Sequence, residues 1–519
     1  IKANTFCNAG LNDNKIYYSA GIHYDSWNDL TSIVVEDNIF DSFSGNNEGR
    51  CLFITIIKEA YISINNNTIQ NCPSGGPLAK TWFRSRRDSF TIKSFVSKNN
   101  TMNDYRDQWL GCTPQFWIEN TREIDDNHID PIEITFEECN FSSNSNPTQG
   151  GALRFGNNKY IANIKVCLYK CNFIDNSAEH EGGAVYIQTY QGCKIDDCYF
   201  IDNKSNQGSG SIFIETEFQC INPSNSAEYL PKPSEDSRKP DIIINNCHFE
   251  GDSGKDSHGI HIGECQNAPV QLFMCVFNDC GQNGFVVSIQ SKVQNIEMKN
   301  CTIEFSSNEN SASGLISLTD KIVLIGNTFQ NCNKNTVQIE GLINENNEIQ
   351  IIENNFFGCK GKIINVLNLY TTKPVFTGNK FENISLECPI IEVKLSDSID
   401  RIDFINNTFS NFVVVTENIN GIGLEINHEN NDKEIYISFS DCYFIDYSNQ
   451  QKSEIGGALC CASNQNKGNI YLTLEECNFE GNSNSMNGGA IYINIKHDIT
   501  ITKCTFIGNN AAKGGSIYI

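Results

Sequence analysis

Cys139-Asn140-Phe141-Ser142-Ser143-Asn144, followed six residues later by Gly150-Gly151-Ala152-Leu153, is the stretch that decides the fold. The hexapeptide Cys/Asn-x-Phe-x-x-Asn returns as Cys171 to Asn176, Cys198 to Asn203, Cys477 to Asn482 and Cys504 to Asn509. Relaxed copies begin at Asn4, Asn38, Asn67, Asn100, Cys247, Cys275, Cys301, Asn327, Asn354, Asn379, Asn407 and Cys442. The glycine element returns as Gly182-Gly183-Ala184-Val185, Gly456-Gly457-Ala458-Leu459, Gly488-Gly489-Ala490-Ile491 and Gly514-Gly515-Ser516-Ile517. An apolar alternation precedes the hexapeptide: Ile132-x-Ile134, Ile296-x-Met298, Ile322-x-Leu324, Leu472-x-Leu474, Ile499-x-Ile501. The shortest spacings are about 25 to 28 residues, the length of one solenoid coil.

Each coil therefore reads as three short strands separated by bends, with every second side chain inward. The expected fold is all-β: a right-handed parallel β-helix of about 17 coils, roughly 80 Å long at ~4.8 Å per coil. One solenoid is expected over 1–519, irregular over 1–130 and regular over 131–519. In Cys477-Asn478-Phe479 the Cys and Phe point in and Asn478 out. Successive phenyl rings stack into a ladder. The Asn closing the hexapeptide falls at a bend, where Asn tolerates the left-handed region. Gly-Gly permits a tight re-entry, with Ala the largest residue that fits beside it. Ile491 and Ile493 are expected inside and Tyr492 in solvent. Helices are excluded because no segment sustains a 3.6-residue period, and propeller blades need longer units.

Composition agrees with such a chain. Of 519 residues 39% are apolar and only 12 are proline, lean but sufficient for a narrow core shared by many coils. With 38 basic against 62 acidic residues the formal charge is −24, and no basic stripe offers a nucleic-acid footprint. No stretch approaches the ~20 apolar residues of a membrane span. The opening at Ile1 and the stop in mid-motif at Ile519 are read as those of a piece of something longer.

Departures from the repeat mark where function is sought. A proline-rich insertion covers about 216–241, with shorter extensions near 412–435 and 447–468. All four tryptophans, Trp27, Trp82, Trp109 and Trp117, fall in the first quarter beside a basic cluster at Arg84, Arg86 and Arg87. They suit an end cap for the solenoid; alternatively Trp82, Arg84, Arg86, Arg87, Trp109 and Trp117 form a ligand site for sugar or protein.

Nine of the 23 cysteines occupy the first hexapeptide position, where Cys serves as a small hydrophobe exchangeable with Asn. Stacked Cβ vectors make poor disulfides, so these thiols are expected free. Cys193, Cys220, Cys265 and Cys388 are expected in loops and better placed to pair. No Cys-x-x-Cys is present, so no structural zinc is expected, and no cofactor. An enzyme of this fold needs paired carboxylates. Asp125-Asp126 and Asp196-Asp197 are the obvious pairs, yet Glu137-Glu138 and Glu475-Glu476 recur where Asp196-Asp197 stands, as surface residues would. His258 and His261 fall on opposite faces of a strand. No catalytic residue is assigned.

Phe-x-x-Asn alternating with Gly-Gly-Ala-Ile/Leu/Val resembles the repeats of the chlamydial polymorphic outer membrane protein family. Similar repeats occur in surface proteins of some microbial eukaryotes. The likeness is strong over about 130–215 and 440–519, degenerate over 250–440 and loose before 130. It implies a secreted or surface-displayed β-helix acting in adhesion, without the family's C-terminal membrane barrel here. The expected role is thus an extracellular, non-catalytic adhesive or structural scaffold binding proteins or glycans. The alternatives are a polysaccharide-active enzyme, or a filament or matrix subunit associating end to end. Sequons place candidate N-glycosylation at Asn66, Asn99, Asn140, Asn383 and Asn406, with Asn203 expected in a buried corner.

Overall fold

Short segments that alternate apolar and polar residues can bury one face only by stacking on copies of themselves. A computed structural model shows how. Before residue 132 it describes residues 1–7, 22–26, 31–42, 52–56, 60–71, 79–83, 90–93, 96–98 and 115–118. Beyond that it describes 132–155, 164–189, 191–216, 241–255, 257–263, 265, 268–281, 284–293, 295–306, 313–319, 321–332, 336–340, 348–369 and 374–386. It continues through 390–395, 401–414, 424–428, 434–449, 457–462, 469–495 and 497–519. The chain is a right-handed parallel β-helix, and among the described residues it contains strands and no helix. Two units, Ile1–Gln271 and Leu272–Ile519, carry the same layering.

In the first unit a layer runs through Ile132–Glu137, Asn140–Ser142 and Leu153–Phe155, and the next through Ile164–Tyr169, Asn172–Ile174 and Val185–Gln188. Pairing is parallel and in register, Phe141 on Phe173 and Leu153 on Val185. The second unit repeats this, for example Ile470 on Ile435 and Phe479 on Phe444. The coil count differs somewhat from the hexapeptide count: among the described residues the phenylalanine sheet holds 17 strands, the sheet before it 16, and the face after it 14 with three more in a separate sheet. One expected repeat is misplaced. Val96–Lys98 pairs with Thr68–Gln70 and Asn140–Ser142, so that coil's hexapeptide starts before Val96 and not at Asn100. Ser97 takes the phenylalanine position there, which hid the true register.

The interior is a set of columns. Phe141, Phe173, Phe200 and Phe249 stack with centroids 4.8 to 5.0 Å apart. In the second unit Phe444 stacks on Phe479 at 4.6 Å and Phe479 on Phe506 at 5.0 Å. Strand spacing of about 4.8 Å dictates that separation. Cys477 and Phe479 are buried and Asn478 half-buried, as the alternation requires.

Two bends flank the phenylalanine strand, and each can carry an amide column. At the first bend the Asn327 backbone N and Nδ2 both donate to Asn354 Oδ1, at 2.9 and 2.9 Å. Asn354 repeats this toward Asn379, and Asn379 toward Asn407. At the second bend Asn144 donates to Asn176 and Asn176 to Asn203 in the same double manner. Asn203 is fully buried, as expected of a corner. The two columns trade places. Layers with Asn at the first bend carry Cys332, Cys359, Ile384 or Phe412 at the second, whereas layers with Asn144, Asn176, Asn203 or Asn482 at the second carry cysteine at the first. The left-handed residue is not the buried Asn but the residue before it, such as Ser143, Asp175 and Asp202 with φ of 50, 52 and 54°. A second one precedes the first bend: Glu138, Asp197 and Glu476, φ 54, 54 and 53°, which accounts for the recurring acidic pairs.

The seventeen cysteines whose side chains are described form no disulfide, and every one except Cys504 is buried. The thiols bridge the layers by weak hydrogen bonds, as when the Cys171 backbone N donates to Cys198 Sγ at 3.4 Å and Cys171 Sγ to Phe136 O at 3.5 Å. Cys193 and Cys265 are buried free thiols and not paired loop residues. Cys193 lies within the strand Gly192–Asp196 and faces the core with Ile195. Cys220 and Cys388 lie outside the described residues. Burial pushes Cys167 up to about 11, with Glu133 adding to the effect, and Cys461 up to about 12. The thiolate is the reactive form. Native alkylation at pH 7.5 is therefore expected to leave peptides bearing Cys167, Cys193 and Cys461 unmodified. The same peptides should label fully in guanidinium; mass spectrometry showing native labelling would contradict the packing.

Candidate functional site: the outer face of the third sheet

Period-2 alternation that sends Leu153, Phe155, Val185, Ile187, Ile212 and Ile214 into the core must send their neighbours out. In register these neighbours are Arg154, Tyr186, Phe213 and His261. They form an external column: Tyr186 stacks on Phe213 at 5.2 Å and Phe213 on His261 at 5.4 Å, while the Arg154 guanidinium carbon lies 5.7 Å from the Tyr186 centroid. Although outward, all four are buried, at 5, 2, 8 and 5% exposure. The same holds in the second unit, where Tyr492 is 8% exposed and stacks on Tyr518 at 5.6 Å. That corrects the expectation that Tyr492 faces solvent. An outer position on a parallel sheet is sheltered when neighbouring rings stack over it, and sequence alternation carries no sign of that shelter.

Polar groups line the column. Gln188 Nε2 donates to Glu215 Oε2 at 3.0 Å, and Arg154 Nη1 donates to Thr148 Oγ1 at 3.3 Å. Burial raises the Tyr186 phenol above its ordinary range, and the Glu215 and Glu181 carboxylates reinforce this. Burial lowers the Arg154 guanidinium from its usual value, and the Tyr186 ring partly opposes that.

Of the tryptophan–arginine cluster, the backbone register places Trp82 directly beside Trp117. In the same strands Lys80 pairs with Gln115, and Gln115 with Arg154. Trp82 and Trp117 thus belong to the sheet that carries the Arg154 column. Arg84, Arg86, Arg87 and Trp109 lie outside the described residues, as do Asn99 and Asp125-Asp126. Arg154 was missed in the sequence because it sits inside a regular repeat. The signal available was one Arg at a position occupied by aromatic residues in the following coils.

Among the sequons Asn66, Asn140, Asn383 and Asn406 are exposed. Asn66, Asn383 and Asn406 occupy left-handed bends with φ of 53 to 55°. Asn140 accepts a hydrogen bond from Asn172 Nδ2 at 2.6 Å. His258 and His261 go to different neighbours, His258 to the Gly254 amide and His261 to Phe213. Among the described residues no group of three or more His, Cys, Asp or Glu is arranged to hold a metal, and no helix is long and apolar enough to cross a membrane.

Residues 234–409 match the family described as right handed beta helix region. No curated relative matches the chain. A PL6 family alginate lyase, AlyGC, aligns with 8% identity over 98% of this chain and 97% of that one, with a TM-score of 0.14. A score that low carries no argument about activity.

Proposed function

We propose that this protein is a non-catalytic, secreted or cell-surface β-helix that acts as a structural and adhesive scaffold for proteins or glycans. The observation that carries this reading is the division of labour within each layer. Inward positions are spent on stacked phenyl rings, amide columns and thiols, and recognition groups are left to the outer faces and to loops between coils. The exposed Tyr436 and the half-buried Tyr471 stack at 4.9 Å on the outer face of the second unit, with both hydroxyls donating to Glu434. Exposed aromatic side chains held rigid by a ladder suit glycan or protein contact. The repeats' likeness to polymorphic outer membrane proteins supports surface display, and four exposed sequons support glycosylation.

Glycan and protein arrays probed with the purified chain, alongside a reducing-sugar and unsaturated-sugar release assay on the same polysaccharides, test the proposal. Saturable binding without product release is expected. Turnover of any polysaccharide would replace the adhesive reading with an enzymatic one.

A further inference from the structure

We infer that Tyr436 and Tyr471 form a cross-linking site, at which a one-electron oxidant joins the two phenols into a dityrosine that staples neighbouring coils of the second unit. This goes beyond the adhesive reading and does not rest on it.

The site begins in the register. Tyr436 lies in the strand Glu434–Ser440 and Tyr471 in Asn469–Glu475, and the two are directly paired. The alternation that buries Ile435, Ile437, Ile470 and Leu472 sends both tyrosines to the outer face. There Tyr436 is 43% exposed and Tyr471 half-buried, within reach of an oxidant in solution. Their centroids are 4.9 Å apart and their planes 15° from parallel, as the strand spacing imposes. One carboxylate fixes how the rings are turned. The Tyr436 hydroxyl donates to Glu434 Oε2 at 2.7 Å, and the Tyr471 hydroxyl donates to Glu434 Oε1 at 3.2 Å. Both rings therefore point the same way, with the carbons ortho to each hydroxyl facing their counterparts.

The same carboxylate supplies the chemistry. A neutral phenol gives up an electron most readily when its proton leaves at the same time, and a base within hydrogen-bond reach takes that proton. Desolvation, with the Glu434 and Asp498 carboxylates adding to it, raises the Tyr471 phenol above its ordinary value. The hydroxyl thus keeps its proton at neutral pH until the electron goes. Arg401, which pairs with Tyr436 from the preceding coil, donates from Nε to Asp403 Oδ1 at 2.7 Å and so is engaged elsewhere.

The step balances as follows. Each phenol loses one electron to the oxidant and one proton through Glu434 to water. The two radicals join through a bond between ortho carbons. Each of those carbons then sheds its hydrogen as a proton, and each oxygen regains one. The pair has lost two electrons and two protons, and hydrogen peroxide, acting through a haem peroxidase, takes them up to give two waters. Tyr492 and Tyr518 also stack, at 5.6 Å, but Tyr492 is only 8% exposed, which makes that pair a comparison within the same chain.

Oxidation of the full chain by a haem peroxidase with limiting hydrogen peroxide tests the inference, read by peptide mapping with fragmentation on the monomer fraction. Among the 18 tyrosines, Tyr436–Tyr471 is expected to be the most abundant dityrosine within one molecule. Tyr436→Phe and Tyr471→Phe keep the stacked rings, and each should remove most of the dityrosine fluorescence of the monomer. Glu434→Gln keeps an acceptor but not a base, and should slow the coupling about tenfold or more with an unchanged urea midpoint. No such cross-link in the monomer, a larger yield from Tyr492–Tyr518 or any other pair, retained fluorescence in a Phe variant, or an unchanged rate in folded Glu434→Gln would each overturn it. Binding on the arrays is read separately, and neither result fixes the other.

Discussion

Gly183→Ala is expected to unfold the layers around it, at a cost of about 3 kcal/mol or more. A Cβ at Gly183 would lie 1.9 Å from the Gly210 carbonyl oxygen and 2.5 Å from that of Lys204. Both are backbone atoms held in parallel ladders, so neither can yield without moving a whole coil. Gly183 itself donates to Ser209 O at 2.9 Å, which fixes its distance from the next layer. The glycines before and after it meet the same obstacle, Gly151 against Gly183 O at 2.1 Å and Gly210 against His258 O at 2.2 Å. Gly508 is the contrast. Its φ is +64° but the nearest atom to an added Cβ is 4.0 Å away. Gly508→Asn is expected to be close to neutral, since equivalent bends use Asp175 and Asp202. Urea unfolding of the two variants decides the point; similar midpoints would show that conformation and not layer contact selects the glycine.

The second large effect concerns Asp252. It ends the amide column of the first unit, with Oδ1 accepting from the Asn203 backbone N and Nδ2 at 2.8 and 3.0 Å. The residue is fully buried. Ser211 lies near the carboxyl but outside hydrogen-bonding geometry, and Oδ2 has no partner. Burial raises its pKa well above 3.8, and the neighbouring Asp202 adds to the rise, against the lowering hydrogen bonds from Asn203. The sign follows from linkage. Below 3.8 both folded and unfolded forms hold the proton. As pH rises past that value the unfolded chain ionises and the folded one does not, so stability falls until the raised native pKa is passed. Asp252→Asn should remove that loss and add a second-layer donor, a gain on the order of 3 kcal/mol at pH 8 and little at pH 4. Hydrogen exchange at the Asn176 and Asn203 amides reports it locally. A gain equal at both pH values would mean the carboxyl is not buried as described.

The columns of Phe, Cys and Asn were legible in the sequence because period and residue type agree in most coils. Where a coil held neither Phe nor Ile at that position the register was lost, as at Ser97, and the copy was placed at Asn100. The left-handed residue was placed one position late because Asn suits both the bend and the buried ladder, and only its hydrogen bonds separate the two roles. The outer column of Arg154, Tyr186, Phe213 and His261 was illegible for a different reason. Alternation says which way a side chain leaves the strand but not what stacks beside it, so Tyr492 was expected in solvent and Arg154 was not singled out. The tryptophan cluster was half legible: proximity in sequence suggested a site, and register brings Trp82 and Trp117 together, while the arginines lie outside the described residues.

The exchange of amide columns between the two bends sets apart two kinds of coil, joined where they meet by single bonds such as Cys301 N to Asn327 Oδ1. A coil such as 354–359, amide at the first bend and thiol at the second, takes both first-bend bonds only from another Asn coil; from a Cys coil it takes one, as Asn327 Oδ1 does from Cys301 N at 2.9 Å. Grafted between 171–176 and 198–203, it would face cysteine with asparagine at one bend and asparagine with cysteine at the other. Both columns would be interrupted by a single otherwise well-formed insert. Recombination or design that lengthens this protein must therefore copy coils in runs, and the places where one kind gives way to the other are the natural seams.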